Sequence, residues 1–430
     1  MIAISSPPDS VIVLGAGPAG ATAARALALR GIAVRLLDRA AFPRNKPCGG
    51  GISVRVLTRF PYLERELARI ATHAVSRLYL EGPDGDATVV ESDGPAALMI
   101  RRVEFDALLV SLAQQAGAAL VTGADIVQAH QDNDAVTLVA RDGRRFRAPI
   151  VIAADGVYSV VARRLGINPG WSASAVALDM MEETPRSALR DVDPSTLWVS
   201  YGFNPSGGRS VKGRSAAEGY AYIFPKRDHV NIGIGYVLSH YRAAVGHAPY
   251  DLQRGFVAAL RERGIVVGDS VRSNFTPFLI PVGGPLRHPA RGRVLLAGDA
   301  GGFVNGFTAE GIYYAMVTGD LAGRAVAAGG DIRSLAARYR RACDYEIGAE
   351  LRDSVLIQRY LFADRRRIAG VIQGTRRETA TTRAVLEFAV GRRSYRSLRR
   401  RLLARSPVLA GRLVWEKLRT NFVVPRSQHS

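Results

Sequence analysis

The chain has 430 residues, 47% hydrophobic and 22% charged, which exceeds one ordinary core and excludes a disordered or fibrous protein. Two cysteines, Cys48 and Cys343, are too few for a disulfide framework and fit a reducing cytoplasm, while a short polar start and the lack of any 18-residue apolar run argue against a signal peptide or transmembrane helix. The net charge is +20, of which residues 331–430 carry +14, yet no zinc-ligand spacing, helix-turn-helix signature or RNA-binding aromatic motif accompanies it, so neither nucleic acid nor a bound metal is expected.

Val11–Leu14 reads as a short buried strand, Ala19–Arg30 as an Ala-rich helix stopped by Gly31, and Val34–Leu37 as a strand ending at Asp38. Residues 75–100 alternate like strands and break at Gly82-Pro83 and Asp93-Gly94-Pro95, the pattern of a β-meander. Val103–Ala116 is patterned as an amphipathic helix, and residues 120–152 as strands around an Asp142-Gly143 turn. From Trp171 to Pro281, aromatic and β-branched segments alternate with turns, interrupted by one helix at Leu252–Arg263. Val294–Ala297 returns to buried strand, a glycine-rich loop follows, and Gly311–Ala328 is helical, as is the patterning beyond Ser334. The expected architecture is α/β. A Rossmann-type nucleotide-binding domain spans 1–165 and 282–330, with an inserted β-rich substrate domain at 166–281 and a basic helical region at 331–430.

Gly15-Ala-Gly17-Pro-Ala-Gly20 fits G-x-G-x-x-G between a strand and a helix. The first glycine permits the tight turn, the second lets backbone approach a pyrophosphate, and the third allows close strand–helix packing at a helix N-terminus. Asp38 lies 18 residues beyond Gly20, where a carboxylate accepts from ribose hydroxyls. Loop and acid together point to a dinucleotide without separating NAD from FAD.

Two later strands end in acids: Val151-Ile-Ala-Ala-Asp155-Gly156 and Val294-Leu-Leu-Ala-Gly298-Asp299. An acid at the end of a late strand can reach the ribityl hydroxyls of a flavin, and a helix starting near Gly311-Ile312 can offer N–H groups to its ring carbonyls. In this order, residues 10–330 resemble the p-hydroxybenzoate hydroxylase-like flavoproteins, which implies bound FAD. Arg102-Val-Glu-Phe105-Asp106 is similar to that group's R-x-x-F-D signature. The resemblance implies that Arg102 meets the FAD phosphates and that the Ile126 backbone holds the adenine. A surface arginine capping the next helix is the other reading of Arg102.

Pro47-Cys48-Gly49-Gly50-Gly51, Tyr220-Ala-Tyr222-Ile-Phe224-Pro-Lys226 and Gly298-Asp-Ala-Gly-Gly with Glu310-Gly311-Ile312 resemble three elements of the geranylgeranyl reductases. Tyr222 stands where that family's pattern has tryptophan, and Val304-Asn-Gly-Phe307 departs from its V-D-P-L type segment. The resemblance implies an FAD-dependent reductase that saturates C=C bonds of a geranylgeranyl or other polyprenyl chain. It places Gly49, Gly51 and Cys48 at the flavin, with Cys48 as a candidate redox or proton-donating residue; a small buried hydrophobe is the alternative. Strand alternation puts Tyr220, Tyr222 and Phe224 on one face, either as the wall of a tunnel or as sheet core. Lys226 is a candidate for an anionic head group or for shaping the flavin side.

A flavin monooxygenase or halogenase on the same fold is the nearest rival, although the tryptophans of a W-x-W-x-I-P segment are missing here. The substrate is open among geranylgeranyl diphosphate, a prenylated lipid or pigment, and a quinone side chain. The electron donor is NAD(P)H or ferredoxin. Ser394–Phe422 pairs apolar i,i+4 positions with arginines around Pro407, which suits an anionic membrane surface, an acidic electron-transfer protein, or packing on the enzyme itself. The expected location is the cytoplasm, with peripheral membrane contact through the segment after Arg392.

Overall fold

The computed structural model describes residues 11–187, 193–201, 203, 219–377 and 387. Strand Val11–Leu14 lies at the centre of a six-stranded sheet. Val34–Leu37 and Ala119–Val121 follow on one side, and Val151–Ala153, Val294–Leu296 and Ala290–Arg291 on the other. All pairings are parallel except the edge hairpin of Ala290–Arg291 with Val294–Leu296. Successive residues of the central strand serve two cores. Val11 and Val13 pack beneath helices, whereas Ile12 and Leu14 pack against the other face, where a three-stranded antiparallel sheet spanning Ile126–Ala148 covers them. Burial on both faces explains why these strands are continuous apolar runs rather than alternating ones.

Helices Pro18–Ala28, Arg102–Gln115 and Ile312–Ala327 form the helical layer. Pro18–Ala28 and Ile312–Ala327 approach so closely that a Cβ on Gly319 would lie 2.1 Å from the Ala19 carbonyl oxygen. Only glycine fits there.

A second, seven-stranded sheet runs Phe275–Ile280, Ala177–Pro185, His229–Val237, Gly219–Pro225, Thr196–Tyr201, Arg77–Glu81 and Ala87–Glu91. One face packs on helix Pro249–Glu262 through Ile223, Ile232, Ile234 and the fully buried Phe256, which alone is worth about 2–3 kcal/mol. The other face looks toward the six-stranded sheet. The last two strands correct the sequence reading, which placed residues 77–91 within the nucleotide-binding span 1–165. Arg77–Glu81 instead pairs in parallel with Thr196–Tyr201, and Leu78 and Leu80 pack beside Val199. Local alternation marks such a strand but carries no information about a partner more than a hundred residues away.

Beyond Asp331 the chain is helical through Arg377: Ile332–Cys343, Ala349–Phe362 and Arg365–Arg377. The last two place Ile357, Leu361, Ile368 and Ile372 in a cluster against Tyr201, Tyr220 and Phe307. The expected amphipathic segment Ser394–Phe422 lies outside the described residues. Among the described residues, no helix is long and apolar enough to cross a membrane.

Gly319→Ala is expected to cost roughly 2–3 kcal/mol by forcing the two helices apart. Gly370→Ala, on an exposed helical position with open space around it, should stabilise by about 0.5–1 kcal/mol. Urea unfolding of both variants checks the pair, and a neutral Gly319→Ala would contradict the contact.

Candidate active site

A single continuous cavity of about 1500 Å³ runs between the two sheets. At one end it is lined by Gly15, Gly17, Asp38, Arg102 and Ile126; in the middle by Cys48, Gly49, Gly51, Asp299, Gly311 and Ile312. At the other end lie Tyr220, Tyr222 and Phe224, facing Leu361, Ile368 and Ile372. Gly20 and Lys226, of the residues singled out in the sequence, do not line it.

The glycine loop is built by close contacts. Gly15 has φ +92°, and a Cβ there would meet the Ala154 carbonyl oxygen at 2.3 Å. A Cβ on Gly20 would lie 1.8 Å from the Gly15 oxygen, so Gly20 acts in strand–helix packing rather than at the cavity surface. Asp38 is buried and accepts from the Ala16 and Ala40 N–H groups at 2.8 and 2.9 Å, which orients its carboxylate at the cavity edge. Arg102 is buried and forks onto Asp106 at 2.7 and 2.8 Å, and Arg44 reaches the same carboxylate at 3.1 Å. Burial opposes the Arg102 charge, but Asp106 outweighs it and holds the guanidinium protonated. Arg44 also lies 3.8 Å from the Asp38 carboxylate, so two guanidiniums and two carboxylates meet beside Gly17, where both arginines approach bare backbone. Arg102 is therefore not a surface capping residue. Arg44 was not singled out from sequence, because only the fold brings the loop after Asp38 back to the glycines.

Gly50 has φ +74°, and a Cβ there would strike the Ile100 oxygen at 2.1 Å; one on Gly49 would meet the Phe224 ring at 2.8 Å. The glycine run therefore lies flat against the aromatic strand. Cys48 is half-buried, its Sγ accepting from Gly50 N–H at 3.4 Å and its carbonyl from Asn231 at 3.2 Å. Lys226 packs beneath Gly50, fully buried and paired with Glu183, which also holds Arg101 at 2.7 Å. Burial disfavours its charge and Glu183 supports it. The head-group reading of Lys226 is thereby corrected: its ammonium is spent inside the protein and supports the loop from behind.

Tyr220, Tyr222 and Phe224 share one face as strand alternation requires, with adjacent ring centroids 6.1 and 4.5 Å apart. Tyr222 donates to Asp179, its hydroxyl lying 3.1 and 3.3 Å from the two carboxylate oxygens. Asp179 lines the cavity in the apolar first half of its strand, and burial pushes its carboxyl up to about 7, against the Tyr222 hydrogen bond and the Lys46 charge. It was not named from sequence. The signal was present as a lone acid inside the apolar run Val176–Met181.

The residues fit FAD. The bare Gly17 backbone beside the Arg44 and Arg102 guanidiniums, the N-termini of two helices, and Asp155 suit the nucleotide half. The buried Asp155 Oδ1 has no hydrogen-bond partner among the described residues, as expected of an atom kept for a ligand. Gly311, at the start of the 16-residue helix Ile312–Ala327, lies 3.5 Å (as a built Cβ) from Asp299 and presents orphan N–H donors to the cavity.

Residues 9–232 match the FAD binding domain family. The menaquinone reductase of Mycobacterium tuberculosis is 32% identical over 321 residues, covering 73% of this chain and 75% of that protein. Digeranylgeranylglycerophospholipid reductase 2 of Methanopyrus kandleri is 31% identical over 326 residues, covering 74% and 76%. The chain belongs to the geranylgeranyl reductase family of FAD-dependent oxidoreductases. A geranylgeranyl bacteriochlorophyll reductase-like protein from Thermoplasma acidophilum shares the fold, with TM-score 0.70, 20% identity, and coverage of 85% of this chain and 90% of that one.

Gly15→Ala should abolish FAD retention, read as loss of the yellow absorbance from protein that stays folded by circular dichroism. Asp179 generates a second expectation. Its folded-state carboxyl holds the proton up to about pH 7, whereas the unfolded chain releases it in the ordinary carboxylate range. The resulting stabilisation is full in acid and lost as pH rises through about 7, on the order of a few kcal/mol. Asp179→Asn should flatten that fall in Tm between about pH 4 and 7; an unchanged slope contradicts the assignment.

Proposed function

We propose that this FAD-dependent reductase saturates C=C bonds of a long polyprenyl chain. The observation that carries the reading is that one cavity is lined both by the flavin-side loops and by an apolar wall of an aromatic strand and two C-terminal helices. A cavity of about 1500 Å³ exceeds the usual range for a single small ligand, leaving room for a chain beside a cofactor. Bound FAD, once reduced, supplies a hydride to one alkene carbon. The protein's part is to hold the chain, exclude water and place a proton for the other carbon, because an isolated alkene cannot spread charge.

In this reading Gly15, Gly17, Asp38, Arg44, Arg102 and Ile126 hold the nucleotide, and Cys48, Gly49, Gly51, Asp299, Gly311 and Ile312 border the flavin ring. Tyr220, Phe224, Leu361, Ile368 and Ile372 hold the chain. The relatives named for menaquinone and for digeranylgeranylglycerophospholipid support a substrate whose common part is the prenyl chain rather than the head group. Such chains reside in membranes, which favours a cytoplasmic enzyme docking peripherally on an anionic surface; the segment after Arg392 proposed for this contact lies outside the described residues. Electrons arrive from NAD(P)H or from an acidic carrier such as ferredoxin. The exposed arginines of helix Ile332–Cys343 suit the latter.

Anaerobically reduced enzyme should be reoxidised by menaquinone, geranylgeranyl diphosphate or a geranylgeranylated lipid, with the product gaining two hydrogens per bond. Reoxidation by oxygen alone would return the protein to the monooxygenases. Cys48→Ala should keep FAD and lose about tenfold or more in alkene reduction. Ile368→Trp, filling the far end of the channel, should slow long chains more than short ones; equal losses would refute the channel.

A further inference from the structure

We propose that Asp179 and Tyr222 form the proton-delivering pair of this active site, Tyr222 passing its hydroxyl proton to the substrate carbon while Asp179 replaces it. The proposal rests on the prenyl-reductase reading and deepens it. Both side chains line the cavity and both are buried, at 5% and 4% exposure, so bulk water does not compete for the proton.

The pair is built by its strand neighbours. Asp179 stands opposite Gly235 on one flanking strand and Phe278 on the other, and neither offers a competing polar side chain. A Cβ on Gly233 would fall 2.5 Å from the Tyr222 hydroxyl, so Tyr222 lies across bare backbone to reach the carboxyl. Asp179 has no other side-chain hydrogen bond among the described residues. The groups that face the pair are Lys46 from the loop before Cys48, Cys48 itself, and Tyr220 along the strand. Lys46 is itself buried, and burial together with Arg102 weakens its charge. A carboxyl held up to about 7 by burial keeps its proton under neutral conditions and can give it up there, the range a general acid needs.

The step balances. The alkene π pair forms a C–H bond to the Tyr222 proton as the O–H bond breaks, and the tyrosine oxygen takes the Asp179 proton. The other carbon would be completed by the hydride that FAD, when bound and reduced, would supply. The products are a saturated bond, tyrosine restored, and Asp179 as carboxylate, which water reprotonates after the chain leaves.

The test uses holoenzyme carrying Asp179→Asn or Tyr222→Phe. Infrared titration of wild type should show a protonated carboxyl band that disappears near pH 7 and is missing from Asp179→Asn. Both variants should keep the FAD spectrum, and ferricyanide, which adds no proton to carbon, should still reoxidise their flavin. Alkene reduction should fall about 10²-fold or more in kcat, and the wild-type decline in rate above about pH 7 should be lost from the residual activity. A carboxyl band that titrates only in the ordinary acid range, or variants within about twofold of wild type on the alkene, overturns the pair. A wild-type enzyme that shows the band but reduces no prenyl alkene overturns the functional reading, and this step with it.

Discussion

Everything at the cofactor end depends on how closely helices Pro18–Ala28 and Ile312–Ala327 approach. Their contact is backbone against backbone, the Ala19 oxygen under Gly319, and it continues where Gly323 lies over Ala23 and Ala26. Gly20 brings the first helix onto the end of the central strand by the same device. The consequence is positional: both helix N-termini, separated by almost three hundred residues of chain, open onto one cavity. Each offers unpaired N–H groups and the positive end of its dipole, which suits the two ends of an anionic, carbonyl-bearing cofactor. A single methyl group at Gly319 would push the two helices apart.

The second half of the site depends on a different economy, that of buried charge. Asp106, Glu183 and Glu310 each neutralise arginine or lysine close to the cavity, and Arg55 ties Glu350 at 2.9 Å and the Tyr314 hydroxyl at 2.7 Å behind it. Glu310 accepts from Ser53 N–H at 3.0 Å and lies 3.7 Å from Arg55, though burial still pushes its carboxyl up. Against this background Asp179 is different. Its charge is supported by one weakened ammonium and one phenol, which is why burial prevails.

The parts of the site legible in the sequence were those fixed by local backbone need. Gly15, Gly17, Gly20 and Asp38 declare themselves through spacing, and the strand face of Tyr220, Tyr222 and Phe224 follows from alternation. Arg102 was legible through the R-x-x-F-D pattern of Arg102 to Asp106, whereas its place at a helix start suggested only a surface cap. What the sequence withheld were roles set by contacts across the fold. Lys226 looks exposed at a strand end and is instead sealed against Glu183. Arg44 belongs to a loop whose return to the glycines no local rule encodes. Residues 77–91 are unmistakably strands, yet their sheet is chosen by Thr196–Tyr201, far along the chain. The helical patterning beyond Ser334 gave no sign that Ile357, Leu361, Ile368 and Ile372 wall a cavity.

That last placement changes the meaning of the basic carboxy-terminal region. Helix Arg365–Arg377 meets the rest of the protein through Ile368, Ile372 and a rim of polar contacts: Arg365 to the Pro83 carbonyl at 2.8 Å, and Arg376 to Asp86 at 3.1 Å. Exposed ion pairs of this kind contribute up to about 1 kcal/mol each and weaken with salt. The opposite wall is a continuous sheet whose strands are hydrogen-bonded along their length. The two walls of the channel therefore differ in what holds them. The sheet side, carrying Asp179 and Tyr222, is fixed by its ladder, whereas the helical side is held by a narrow apolar stripe and by charge. A site that must keep proton geometry while admitting a long, flexible chain needs that asymmetry: rigidity where bonds change, and a lower cost of opening where the chain lies.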